Sequence, residues 1–148
     1  MVNALRSDVF ITGAARTPLG KFQGGLASTP ATELGAIAIR SAVNRSGLTG
    51  DDIEYSVMGN MLSAGLGQTP ARQAAIGADI PNSVSALTIN KACDSGMQAV
   101  ILAAQSIQLG EASAVVAGGM ENMSAAPHLL VNSRTGQRLG DTNLIDSM

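Results

Sequence analysis

The chain has 148 residues, of which 45% are hydrophobic, 14% charged and only 2% aromatic, and its net charge is −2. That length suits one ordinary domain, and so apolar a composition excludes an intrinsically disordered chain. Without a basic field, and with only Phe10, Phe22 and Tyr55 as aromatics, nucleic-acid binding is not expected.

In chain order, Val9-Phe10-Ile11 is a short apolar run of strand type. Residues 13–28 hold Pro18, Gly20, Gly24 and Gly25 and read as a loop. Thr29-Pro30 then gives a helix start, with threonine as cap and proline in the first helical position. Leu34, Ile37, Ala38 and Ala42 follow at helical spacing, and the helix should stop near Gly47. Ile53–Met58 predicts a second strand. Thr69-Pro70 repeats the cap signal for a short helix through about Ile76. Val84–Ile89 predicts a third strand, Cys93–Leu109 a third helix, and Ala114–Ala117 a fourth strand ended by Gly118-Gly119. Strands alternating with helices imply an α/β layer with right-handed crossovers. After Gly119 the periodicity fades, so residues 1–119 are expected to form one unit and 120–148 to begin another.

The third helix has no charged residue from Ser95 to Gly110. Met97, Val100, Ile101, Leu102, Ile107 and Leu109 cover most of its circumference. A helix apolar nearly all round is expected to be buried on all sides. One sheet covers one side only, so a second layer must come from a partner chain or from sequence outside these residues. The same tract is too short and too rich in glutamine for a membrane span. Met1–Asp8 lacks the apolar core of a leader peptide, and the expected location is the cytoplasm.

Two phosphate-loop patterns fail. Gly20-Lys21 is followed by Phe22 where a hydroxyl is needed for magnesium, and Gly65-Leu66-Gly67 has Pro70 in place of the third glycine of a dinucleotide loop. A single cysteine and a single histidine give no disulfide framework and no cysteine or histidine metal cage. Cys93 is the candidate catalytic residue. It lies at the junction of a strand and the apolar helix, where unpaired amides carry partial positive charge. Such amides favour a thiolate and can hold the oxyanion of an acyl intermediate. Lys91 adds positive charge there and Asp94 opposes it. The competing reading is a buried, inert cysteine serving as a small hydrophobe. No spacing pairs Cys93 with His128, which reads as a loop histidine. Glu121, after two glycines, is expected to bridge locally.

Ile89-Asn90-Lys91-Ala92-Cys93-Asp94-Ser95-Gly96-Met97 resembles the active-site segment of the thiolases, the acetyl-CoA acetyltransferases. Ala14-Ala15-Arg16-Thr17-Pro18, Gly65-Leu66-Gly67-Gln68, Pro70-Ala71-Arg72-Gln73-Ala74-Ala75 and Ala117-Gly118-Gly119-Met120-Glu121-Asn122-Met123-Ser124 are similar to further blocks of that family, in the same order. Gly140-Asp141 and Asp146-Ser147-Met148 resemble the start of its loop domain. Asp94 is a departure, because a small uncharged residue is usual there.

The resemblance implies a thiolase-like layered α/β fold: one βαβαβαβ half with a mixed sheet and a buried helix bearing the nucleophile. It implies an acyltransferase that condenses two acetyl-CoA to acetoacetyl-CoA, and runs the reverse thiolysis, through an acyl-thioester on Cys93. Acyl-CoA and CoA would be the substrates, with no metal and no redox cofactor, and the full-length enzyme would be a homodimer or homotetramer. The family's catalytic histidine and second cysteine belong to its second half, so residues 1–148 alone are expected to be inactive or nearly so. The alternative is a non-catalytic truncated chain serving as a dimerisation module.

Overall fold

The computed structural model describes residues 8–148. Met1–Ser7, the stretch without a leader-like core, lie outside the described residues. The elements are helix α1 (Ala31–Ser46), strand β1 (Tyr55–Gly59), helix α2 (Pro70–Gly77), strand β2 (Ser85–Ile89), helix α3 (Ser95–Leu109) and strand β3 (Val115–Gly119). A two-residue pair, β4 (His128–Leu129) and β5 (Ile145–Asp146), closes the chain. Each long element falls where the sequence pattern puts it, and α1 ends at Gly47 in the left-handed conformation (φ 79°) that glycine adopts without strain.

The caps differ from expectation. Pro30 itself is the N-cap of α1, and no side chain caps that end. Proline carries no side-chain acceptor, so it cannot cap the amides that follow it. In α2, Pro70 is the first helical residue as expected, but Thr69 adopts φ 49° and its side chain does not cap. The free N–H of Ala71 instead donates to Thr88 Oγ1 at 2.9 Å, so strand β2 caps α2 across the fold.

The main sheet has the order β2-β1-β3, and both pairings are parallel. A right-handed crossover from β1 to β2 runs one way across this sheet, and the crossover from β2 back past β1 to β3 runs the other. The two therefore place α2 and α3 on opposite faces. Ser56, Ala86 and Val116 share one register level, as do Met58, Thr88 and Gly118, and this face meets α1 and α2. The core lies here: Ala31, Ala36, Ile39 and Val43 of α1 pack with Ala71, Ala74 and Ala75 of α2, with Ile53, Met58, Ile80, Val84 and Met120. Arg40 ties α1 to the end of α2 through Asp79 Oδ2 at 3.0 Å and the carbonyl of Gly77.

Three expectations are corrected. Among the described residues the main sheet is not mixed: its three strands are parallel, and the antiparallel pairing of β4 with β5 is separate. Val9-Phe10-Ile11 forms no strand, which leaves three strands in place of four. Nothing among the described residues pairs with that run, and Phe10 and Ile11 are 79% and 81% exposed. The chain beside them is instead held on α1, with Gly13 against the Ala42 carbonyl and Arg45 donating to Ala14 O at 2.8 Å. Nor is α3 buried all round. Ala99 and Ala103 are buried against the sheet, while Met97 and Leu109 are 63% and 62% exposed and Val100 and Ile101 are exposed too. The small residues of α3 face the sheet, and no second layer among the described residues covers the large ones.

Candidate functional site

Because α2 and α3 lie on opposite faces, the connections leaving β1 and β2 diverge. Diverging connections open a crevice at the carboxyl ends of parallel strands, the usual place for a ligand in such sheets. Cys93 stands on the connection from β2 to α3, and it is exposed. It precedes α3, which begins at Ser95 rather than at the cysteine.

The turn carrying Cys93 is held from three sides. Asn90 Oδ1 accepts from Ala92 N at 3.0 Å, and Asn90 Nδ2 reaches across the crevice to Met61 O at 3.2 Å. Ser95, itself buried, accepts from Lys91 N at 2.8 Å through Oγ and donates to Ala92 O at 2.6 Å. Between these anchors Ala92 adopts φ 49°, a left-handed conformation that costs a residue with a Cβ about 1 kcal/mol or more. Gln23, Thr69, Asp79 and Asn132 share this backbone region, so what sets the Ala92 turn apart is the exposed thiol that follows it. Gln98 N closes onto Asp94 O at 2.9 Å, and no backbone bond from Gly96 N or Met97 N is present among the described residues. The first turn of α3 therefore has amides without backbone partners.

Glycines set the height of this turn. A methyl at Gly59 would overlap the Ser95 carbonyl carbon and stand 2.6 Å from Gly96 N. A methyl at Gly119 would meet Gly96 Cα at 3.1 Å. Gly59, Gly96 and Gly119 thus let the start of α3 rest on the ends of β1 and β3, backbone on backbone.

Polar side chains fix the far wall. Asn60, buried at the end of β1, donates through Nδ2 to Met120 O at 3.1 Å and to Glu121 Oε1 at 2.8 Å. Glu121 also accepts from Met61 N at 2.8 Å and Leu62 N at 3.1 Å, the local bridge expected of it. Asn122 Nδ2 contacts the carbonyls of Leu26, Ala27 and Thr29 at 3.2, 3.1 and 2.7 Å. Residues 26–29 are thereby tied to the segment after β3. A cavity of about 600 Å³ lies under this tie, between the Arg16–Phe22 loop, Leu34, Met120 and Met123. Cys93 is not among its walls.

His128 is placed on β4 opposite Asp146, and no hydrogen bond joins it to Cys93. The roles of Asn60, Ser95 and Asn122 were not foreseen. Only Asn60 carried a local signal, as a polar residue directly after a strand-ending glycine. No group of three or more His, Cys, Asp or Glu suited to a metal ion occurs among the described residues, and no helix there is long and apolar enough to cross a membrane.

Comparison with known proteins adds what local geometry cannot. Residues 9–148 match the family model described as Thiolase, N-terminal domain. An acetyl-CoA acetyltransferase of Cupriavidus necator is 56% identical over 142 residues, covering 96% of this chain and 36% of that protein. A probable acetyl-CoA acetyltransferase of Escherichia coli is 52% identical over 95% of this chain and 36% of its own length. Among solved structures, an acetyl-CoA acetyltransferase of Bacillus anthracis superposes with a TM-score of 0.92 at 37% identity, over 98% of this chain and 37% of that one. A thiolase of Ascaris suum in complex with coenzyme A gives 0.90 at 43% identity, over 95% and 36%. The chain thus spans little more than a third of the relatives it matches.

Proposed function

Because this chain belongs to the thiolase family, matching its N-terminal domain, we propose that it supplies the acyl-accepting half of an acetyl-CoA acetyltransferase, with Cys93 as the nucleophile. The observation that carries the reading is the exposed thiol on a strained, triply anchored turn before α3. In this mechanism the Cys93 thiolate attacks the carbonyl carbon of acetyl-CoA, and donors of the first turn of α3 stabilise the tetrahedral oxyanion. The CoA thiolate leaves, and Cys93 carries an acetyl thioester. A second acetyl-CoA then loses an α-proton, and its carbanion attacks the thioester to give acetoacetyl-CoA and free Cys93. Thiolysis is the reverse. The chemistry exchanges thioesters and a proton, and it calls for no metal and no redox cofactor.

The proton-transfer groups are assigned to sequence outside residues 1–148. Positioned acid–base groups contribute about 100-fold or more each, so these residues alone should be inactive or nearly so. Assembly as a homodimer or homotetramer is supported by the uncovered face of α3 and by β3, whose outer edge has no partner among the described residues. A relative from Gibberella zeae is named a cytosolic acetyl-CoA acetyltransferase, which supports a cytoplasmic location.

The test is mass spectrometry, after incubation with acetyl-CoA, of a chain completed with the remaining part of a thiolase. One acetyl group on Cys93, absent in Cys93→Ala, is the expected result. An acetylated Cys93→Ala form of that completed chain, or a completed parent that takes no acetyl group, would overturn the assignment.

A further inference from the structure

We infer that Lys91 is a positioning residue for the nucleophile: it holds the Asp94 carboxylate along α3 and cancels a charge that would otherwise oppose the Cys93 thiolate. The inference rests on the reading of Cys93 given above.

Asp94 is the N-cap of α3, yet its side chain accepts no capping hydrogen bond. An aspartate in that position ordinarily turns onto the free amides of the first turn. There it would compete with a thiolate for the same partial positive charge, and like charges on adjacent residues disfavour one another. The structure turns the carboxylate elsewhere. Lys91 Nζ pairs with Asp94 Oδ2 at 2.9 Å and donates to Gln98 Oε1 at 2.9 Å. Lys91 is fixed at its main chain too, since its N–H donates to Ser95 Oγ. The ammonium is therefore strung along the first turn of α3, bridging one residue before the helix to one inside it.

Charge near this end of the site comes from Lys91 and Asp94, and from Glu121 on the far wall. The rest of Asn90–Gly110 carries none. Glu121, which follows β3, spends both oxygens on Asn60, Met61 and Leu62. On β1, Tyr55 lies at the opposite end of the strand from Gly59. The balance around Cys93 is thus set by the half-exposed Lys91–Asp94 pair, with the Glu121 carboxylate fixed on the far wall.

Cys93 is the sole cysteine of the sequence, so iodoacetamide labelling followed by intact-mass measurement reports on it alone. At one pH near neutrality, Lys91→Gln is expected to slow labelling by about two- to five-fold, the scale of an exposed pair. Lys91→Arg should restore the parent rate. In an Asp94→Ser background, Lys91→Gln should slow labelling less, because the carboxylate it balanced is gone. A Lys91→Gln chain that labels as fast as the parent overturns the inference, and so does an equal slowing with and without Asp94. Should Lys91→Gln lose its helical circular dichroism, Asp94→Asn decides: it leaves the ammonium uncancelled and should label faster than the parent, and an unchanged or slower rate overturns the inference. A Cys93 that alkylates with this pattern but takes no acetyl group from acetyl-CoA in the completed chain would sink the functional reading and leave the Lys91 inference standing.

Discussion

The two faces of the sheet are built by opposite rules. On one, α1 and α2 send Ile39, Val43 and a set of alanines inward, and Ala71, Ala74 and Ala75 are almost completely buried. On the other, α3 meets the strands through Ser95, Ala99 and Ala103 and leaves Met97, Val100, Ile101 and Leu109 outward, with Leu87 of β2 exposed beside them. An amphipathic helix ordinarily turns its large apolar residues to the core. A helix that turns its small ones there has a second surface to fill, and an exposed apolar patch of this kind marks an interaction site. The first face accounts for stability within the chain, and the second for what the chain lacks by itself.

The contrast can be broken most directly by paired truncations. Ile39→Ala is expected to cost about 2–5 kcal/mol, the usual range for a buried isoleucine, and Ile101→Ala on the open face less than about 1 kcal/mol. Urea unfolding of the two variants checks this, and comparable losses would mean that α3 is covered in solution. Gly59→Ala should cost about 1–3 kcal/mol, because its methyl meets the main chain of Ser95 and Gly96 rather than a side chain free to move. It should also change the labelling rate of Cys93, since the same contact seats the turn. Ser56→Ala should raise stability by about 1 kcal/mol. The Ser56 hydroxyl is fully buried on the sealed face with no hydrogen-bond partner, and removing an unsatisfied hydroxyl relieves its desolvation cost.

The smallest effect concerns acid. The backbone N–H and hydroxyl of Thr49 both donate to Asp52, and they hold its carboxyl below the usual aspartate range. A carboxyl lowered in the folded state adds stability that is fully present above its unfolded value and is lost as pH falls through the folded one. Asp52→Asn should therefore narrow the gap between neutral and acid stability slightly. An NMR titration of Asp52 at or above the ordinary aspartate value would remove the cause.

Elements announced by local chemistry were legible in the sequence. Pro70 opens α2, Gly47 closes α1, and the apolar runs at 53–58 and 84–89 become strands. The bare circumference of α3 also told correctly that one sheet could not cover it. Interactions reaching across the fold were not legible. Thr88 caps a helix that precedes it by more than ten residues, and Asn122 binds carbonyls more than ninety residues away. Val9-Phe10-Ile11 has the composition of a strand, but a strand exists only beside another, and these residues have no neighbour to pair with. The chemistry of the site divides in the same way. Cys93 could be singled out from its place between strand and helix, whereas Ser95 declared its part only once its hydroxyl was found bridging two main-chain groups.

The glycines where α3 meets the strand ends, Gly59, Gly96 and Gly119, carry a consequence for how this molecule tolerates change. Where a helix is spaced from a sheet by side chains, every exchange among them lifts or lowers it. Here main chain rests on main chain, so side-chain exchanges in the core leave that spacing alone. The height of the sulfur is then open to change chiefly at the glycines and at Asn90 and Ser95, whose side chains tether its turn.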